Sequence, residues 1–370
     1  MLNLIDRSVL FDSNIMQSIG SFTWWYVDLT DQEGNGLVLI WFVGLPFLPS
    51  KSLDLKPKNN SGVTVSLYKR HRLDFYAFQT YAPDQIHISE DQKEWRMGNS
   101  ELKLVAEEGS LLLTAHLELP FAGSDTPFTG DLKIEGYLRN AAPSMGSHEH
   151  PKHVWCPMML QGKGLFEGQA NAEITTLTGS AYMDRNQSEE SLPQLGIEDW
   201  HWCRLSFPEE TWVFYFLKGI DGKWLQWAFC ADADHNFTQV EVLKHEVKNI
   251  KRDRYGILWH QTHFFHVKSK PEPLQMELSP ALERSPFYMR HMSNASLGAH
   301  QGQGIYERIL PQKISQKWMQ PLMAMRINEW HRNKSMWLAL FEGPAKGKLK
   351  RLWNSWTHRK PTNKTVKALQ

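Results

Sequence analysis

The residues best suited to chemistry lie between Gly179 and Arg204, GSAYMDRNQSEESLPQLGIEDWHWCR. A strand-like run leads into Asp184, Asn186 punctuates it, and a loop of small and acidic residues separates it from Trp200, His201 and Trp202. In an extended strand Tyr182 and Asp184 point to the same face, and so do His153 and Trp155. If both strands line one cavity, a carboxyl group, an imidazole, a phenol and an indole converge. A carboxylic acid among aromatic walls keeps its proton, because ionising it in a low dielectric is costly. It could then protonate a weak base, even an alkene carbon. Aromatic faces would stabilise the resulting cation, and a positioned His could take the proton from an attacking water. Asp184, His153, Tyr182 and Trp155 are therefore the candidate catalytic residues. Trp25, Trp200, Trp202 and Asn186 are the candidate substrate-binding residues. The same spacing also fits an Asp that turns the chain with Asn186 at a strand end.

Other constellations are weaker. His148 and His150 form an HxH pair near His153, but Pro151 breaks the strand and spacing fixes no third ligand, so no metal site is predicted. His260 and His266 share a strand face with His263 opposite, which suits core or rim histidines. Asp232 and Asp234 form an acidic turn that does not continue as a calcium loop. No phosphate-binding loop, dinucleotide fingerprint or nucleophile elbow is present. No cofactor is expected.

Composition sets the wider limits. The chain has 370 residues, long for one domain and comfortable for two. Hydrophobic residues make up 41% and charged residues 22%, ordinary values for a globular protein. The 16 Trp and 18 Phe exceed what such a core needs and point to a lipophilic small-molecule ligand. A net charge of +1 argues against nucleic acid as a partner. Three cysteines without CxxC spacing indicate neither a disulfide framework nor zinc, and the expected home is the cytoplasm. The N-terminus lacks the basic and apolar regions of a signal peptide. Leu37–Leu48 is too short to span a bilayer.

The elements that must position these residues are strands. Trp24–Val27 and Leu37–Val43 flank an Asp/Asn/Gly turn at residues 31–36, a hairpin apolar on both faces and therefore central. Residues 51–62 read as a long loop. Strands follow at 63–70, 73–79, 101–106, 111–119, 130–138 and through 164–182. A hairpin at 212–217 and 224–231 turns at Asp221-Gly222, and 240–247, 257–266, 274–278 and 304–309 complete the set. The fold class is all-β, two barrels or sandwiches, with a boundary near 190 to 210. The domain reading is a leader over 1–20, β domains over 21–200 and 201–312, and a C-terminal helix with a basic tail over 313–370. Helical spacing over 313–329 puts Trp318, Leu322 and Met325 on one side. From Asn328 onward ten Lys and Arg meet two Glu, with Trp330, Trp337, Trp353 and Trp356 interleaved. Such a tail suits peripheral contact with anionic membrane lipid, here the inner membrane, or a disordered solubilising extension.

FTWWYVDLTDQEGNGLVLIWFVG, HVWCPM, GSAYMDRN and DWHWCR occur in the order and approximate spacing of bacterial acyclic carotenoid 1,2-hydratases, also called hydroxyneurosporene synthases. GIYERI followed by a Trp-containing helix is similar too, so the resemblance covers about residues 20 to 327. It implies two lipocalin-like β domains and cofactor-independent addition of water to the terminal C1=C2 bond of lycopene or neurosporene, giving a tertiary alcohol. The family's HxW and YxD elements fall on His153, Trp155, Tyr182 and Asp184. Asp184 would protonate C2, Trp155 and Tyr182 would stabilise the C1 cation, and His153 would orient or deprotonate water. The chain departs from the pattern at Gln187-Ser188 and at Cys203, which takes the place of a serine. Those departures leave two alternatives, a related cyclase or isomerase of another polyene and a non-enzymatic lipophilic carrier.

Overall fold

The computed structural model describes residues 2–4, 18–47, 56–107, 109–137, 153–331 and 337–344. Its strands form two sheets. The first runs in the order Gly343–Pro344, Leu73–Tyr81, Ser61–Tyr68, Gly36–Val43, Phe22–Thr30, Glu173–Ser188, His153–Ala170, Phe128–Tyr137, Ser110–Leu119, Ser100–Glu107, Glu94–Met97 and Ile86–Ile88. Leu2–Leu4 pairs in parallel with the start of His153–Ala170. The second runs Phe237–Val240, Trp224–Ala231, Thr211–Gly219, Ile197–Ser206, His300–Ile309, Tyr288–Leu297, Leu274–Leu278, Leu258–Val267 and Val242–Arg252. Glu283–Ser285 adds to it beside Tyr288–Leu297. The chain passes from one sheet to the other between Ser188 and Ile197.

Each sheet curls into a half-barrel. Trp25, Val27, Leu39, Trp95 and Leu117 belong to the core inside the first curl, and Phe214, Phe265 and Met276 to that inside the second. A third core lies between them and takes Phe22, Trp24, Tyr26, Trp155 and Tyr182 from one sheet and Trp200, Trp202, Tyr215 and Ile305 from the other. The Phe22–Thr30 strand is therefore buried at every residue, which explains its lack of polar alternation. Its hairpin is central as expected. Asp31 Oδ1 accepts from the backbone N–H groups of Glu33 and Asn35, and Gly34 takes a positive φ of 79°.

Several expectations change. Ile86–Ile88, Glu94–Met97, Phe237–Val240, Glu283–Ser285 and Tyr288–Leu297 are strands that periodicity does not announce. Tyr288–Leu297 carries Arg290, His291 and Ser293 in buried positions, so its polar residues hide it. The helix expected over 313–329 is broken into Pro311–Ile314, a 3₁₀ turn at Lys317–Met319 and Gln320–Ala324. Pro321 cannot continue a preceding helix because it lacks an N–H, and it restarts one instead. Ile314, Met319, Met323 and Ile327 are among the buried residues there, while Trp318 is 64% exposed. Trp330 and Trp337 are also exposed. Trp353, Trp356 and most of the basic tail lie outside the described residues, as do His148 and His150. No helix of the described residues is long and apolar enough to cross a membrane.

Candidate active site

Antiparallel pairing builds the site from three neighbouring strands. Asp184 stands opposite Tyr26 on one side and Pro157 on the other, and Asn186 stands between Trp24 and Trp155. Alternation turns Tyr182, Asp184 and Asn186 to the inter-sheet face and Met183 and Arg185 into the first half-barrel. The register slips beside Pro157, between Pro157 and Met159 and again before Gly162. Bulges of this kind re-aim the side chains next to them.

Asp184 is buried, and three donors hold it. Trp155 Nε1 and Tyr182 Oη each donate to Oδ2 at 2.8 Å, and Asn186 Nδ2 donates to Oδ1 at 2.9 Å. Burial raises its pKa, the Trp155 and Tyr182 hydrogen bonds lower it, and the Glu307 and Asp28 charges raise it again. The net result is about 8. The carboxyl is thus largely protonated at neutral pH. With Oδ2 taking two donors, Oδ1 is the oxygen free to carry the proton. The same three donors would stabilise the carboxylate left after proton transfer.

His153 sits one step further out. Its Nε2 lies 3.1 Å from Asn186 Oδ1 and 2.9 Å from Tyr215 Oη. Asn186 donates to Asp184 through its nitrogen, so its oxygen faces the imidazole and accepts from Nε2–H. Burial drives the His153 pKa down to about 3, with the Asn186 bond opposing. His153 is thus neutral, and it reaches the acid only through Asn186.

The walls are aromatic. Trp202 lies 5.1 Å from Tyr26 and 5.4 Å from Tyr182, and Trp200 lies 4.9 Å from His153, between ring centroids. Trp155 lies 5.0 Å from Tyr215 and 5.2 Å from Phe229. Seven of the expected residues therefore gather in one place: Asp184, His153, Tyr182, Trp155, Asn186, Trp200 and Trp202. Trp25 does not join them. It points the other way, into the first half-barrel, where it packs on Trp95 and beneath the Arg185 guanidinium. Period-two alternation puts Trp24 and Tyr26 at the site instead, and their register with Asn186 and Asp184 is the signal that finds them.

A cavity of about 130 Å³ adjoins this network between the two sheets. Trp24, Tyr26, Phe42, Phe47, Phe78 and Phe287 supply much of its apolar wall. Glu283, Arg290, Glu307 and Arg326 supply a polar wall that sequence reasoning did not mark. Glu307 lies within GIYERI, so a signal was present without a chemical assignment. Asp184 does not itself line the cavity; Tyr26, its partner in register, borders both.

Comparison with known proteins decides the family. The model of the carotenoid hydratase CrtC family matches residues 39–336. The chain belongs to that family. It is a hydro-lyase of carotenoid biosynthesis, with a lipophilic carotenoid as substrate. It is 21% identical to an acyclic carotenoid 1,2-hydratase of Thiocapsa roseopersicina over 87% of this chain and 76% of that protein. It is also 21% identical to a hydroxyneurosporene dehydrogenase of Chlorobaculum tepidum, over 85% of this chain and 88% of that one. Among solved structures, CghA with Sch210972 superposes with a TM-score of 0.53 at 9% identity, over 80% of this chain and 89% of that one, a likeness of fold. The fold of the chain, two curled half-barrels, is lipocalin-like.

Proposed function

We propose that this hydratase adds water across the terminal C1=C2 bond of an acyclic carotenoid, without a cofactor, and that Asp184 is the acid. The observation that carries the reading is a buried carboxyl, protonated near neutral pH, whose anion has three hydrogen-bond donors waiting. Proton transfer from Asp184 to C2 leaves a tertiary cation at C1. The electron-rich faces of Tyr182, Trp155 and Trp202 stabilise it. Water then adds to C1 and loses a proton. His153 acts through Asn186, keeping the amide turned so that its nitrogen donates to Asp184. The cavity is small beside the ~300–1,000 Å³ typical of whole-ligand pockets. It suits one end of a polyene rather than its full length.

The test is turnover of detergent-dispersed lycopene in ¹⁸O-labelled water. Wild type should yield a labelled tertiary alcohol, and Asp184→Asn should lose about 10²–10⁴-fold in rate. Undiminished hydration by Asp184→Asn would remove the acid assignment. A cyclised product without added oxygen would instead indicate a polyene cyclase, and carotenoid bound without turnover a carrier.

A further inference from the structure

The protonation step leaves the polar wall of the cavity without a use. Across the second sheet Trp202, Glu307, Arg290 and Glu283 are successive partners in register, so they form one row on the inner face. Glu283 is fully engaged: Oε1 accepts from Tyr68 Oη and Arg290 Nη1, and Oε2 from Arg326 Nη2. Burial pushes its pKa up, but the Arg290 and Arg326 charges outweigh that and hold it below the usual carboxylate range. Glu307 differs. It accepts a single hydrogen bond, from Arg290 Nε to Oε1 at 2.7 Å, and Oε2 has no donor among the described residues.

Two hydroxyl groups on the same cavity are in a similar position. Tyr26 Oη and Tyr288 Oη are both shielded from solvent and have no hydrogen-bond partner among the described residues. Burial pushes both phenol pKa values up and the Glu307 charge adds to this, although Arg290 opposes it, so both hydroxyls keep their protons. Leaving such groups unpaired is costly. A hydrocarbon chain cannot satisfy them, whereas water or an alcohol can. A cavity of this size admits water beside the end of a substrate.

We propose that Tyr26, Tyr288 and Glu307 form the oxygen site of the reaction, holding the attacking water and afterwards the tertiary hydroxyl of the product, with Glu307 as the base. This rests on the hydration reading above. The π electrons of C1=C2 form the new C2–H bond with the Asp184 proton, leaving C1 electron-deficient. A lone pair of the held water forms the C1–O bond. One O–H bond of that water then breaks, and its proton passes to Glu307 Oε2. Solvent returns a proton to Asp184 and removes one from Glu307, so one water is consumed and both carboxyls are restored. The Glu307 carboxylate also faces the cation before the C1–O bond forms.

The experiment uses the full chain with lycopene, in ¹⁸O-labelled water and separately in ²H₂O, for wild type, Glu307→Gln, Glu307→Asp, Tyr26→Phe and Tyr288→Phe. Thermal melts and quenching of Trp fluorescence by the carotenoid monitor folding and binding. Glu307→Gln should slow oxygen gain about 100-fold while still exchanging deuterium into the substrate, since protonation and its reversal survive. Glu307→Asp should recover part of the rate, and each Tyr→Phe variant should lower it about tenfold with binding retained. Oxygen gain at the wild-type rate in Glu307→Gln overturns the proposal. So does joint loss of deuterium exchange and oxygen gain in a folded, carotenoid-binding Glu307→Gln, which would make the ion pair structural. If Glu307→Gln does not fold, wild-type rates in the Tyr26→Phe, Tyr288→Phe double variant overturn it. Failure of wild type to gain either isotope would overturn the hydration reading and the oxygen site with it.

Discussion

Asp184 keeps its proton because burial outweighs the donors around it. Those donors act in the opposite sense, and this makes them separable by experiment. Above about pH 8 kcat/KM should fall tenfold per pH unit as the Asp184 carboxyl ionises. Removing a donor disfavours the anion. Trp155→Phe and Tyr182→Phe should therefore each move that falling limb to higher pH, by roughly one unit for a charge-assisted hydrogen bond. A limb that stays in place in both variants would mean that another group sets it. No His limb should appear near pH 6.5, since burial holds the His153 pKa at about 3.

At the scale of elements, the groups proposed for catalysis depend on strand pairing that tolerates little added volume. Gly304 stands opposite Leu205 in the strand that carries Glu307. A Cβ added there would lie 1.7 Å from the Arg204 carbonyl oxygen, a backbone atom that no rotamer change can move aside. Gly304→Ala should force the His300–Ile309 strand from its neighbour and cost about 1–3 kcal/mol. Urea unfolding would measure it, and an unchanged midpoint would contradict this account. On the opposite face of the strand that carries Asp184, Arg185 stacks over Trp25 at 4.9 Å and Trp95 at 5.4 Å. That stack makes Trp25 part of the scaffold behind the acid.

The described residues form two curled sheets joined across an aromatic layer, and buried Arg204 crosses the joint. Arg204, from the second sheet, donates to Asp28, Thr30 and Ser180 of the first. Burial raises the Asp28 pKa and the Arg204 charge lowers it, to a net value of about 6. Arg204→Ala would leave Asp28 buried without its partner, a change expected to cost about 3–5 kcal/mol. The loss should appear as a lower midpoint in urea. Asp28→Asn in the same background should restore part of it, since the uncompensated charge is then gone. No recovery would mean that the loss came from packing alone.

The sequence by itself determined what is local. Alternation placed Tyr182 with Asp184 and His153 with Trp155, because a strand repeats every two residues wherever it lies. Aromatic excess announced a lipophilic site, and four spaced motifs marked the family. Strands with polar buried residues, such as Tyr288–Leu297, stayed hidden because their partners are distant in the chain. Tertiary structure alone decided which face of Trp24-Trp25-Tyr26 meets the acid, since alternation yields two faces and only packing chooses between them. It also decided that His153 reaches Asp184 through Asn186. And it assembled the Glu283–Arg290–Glu307 row with Tyr26 and Tyr288, whose nearness depends on two sheets meeting across a core that no short stretch of sequence contains.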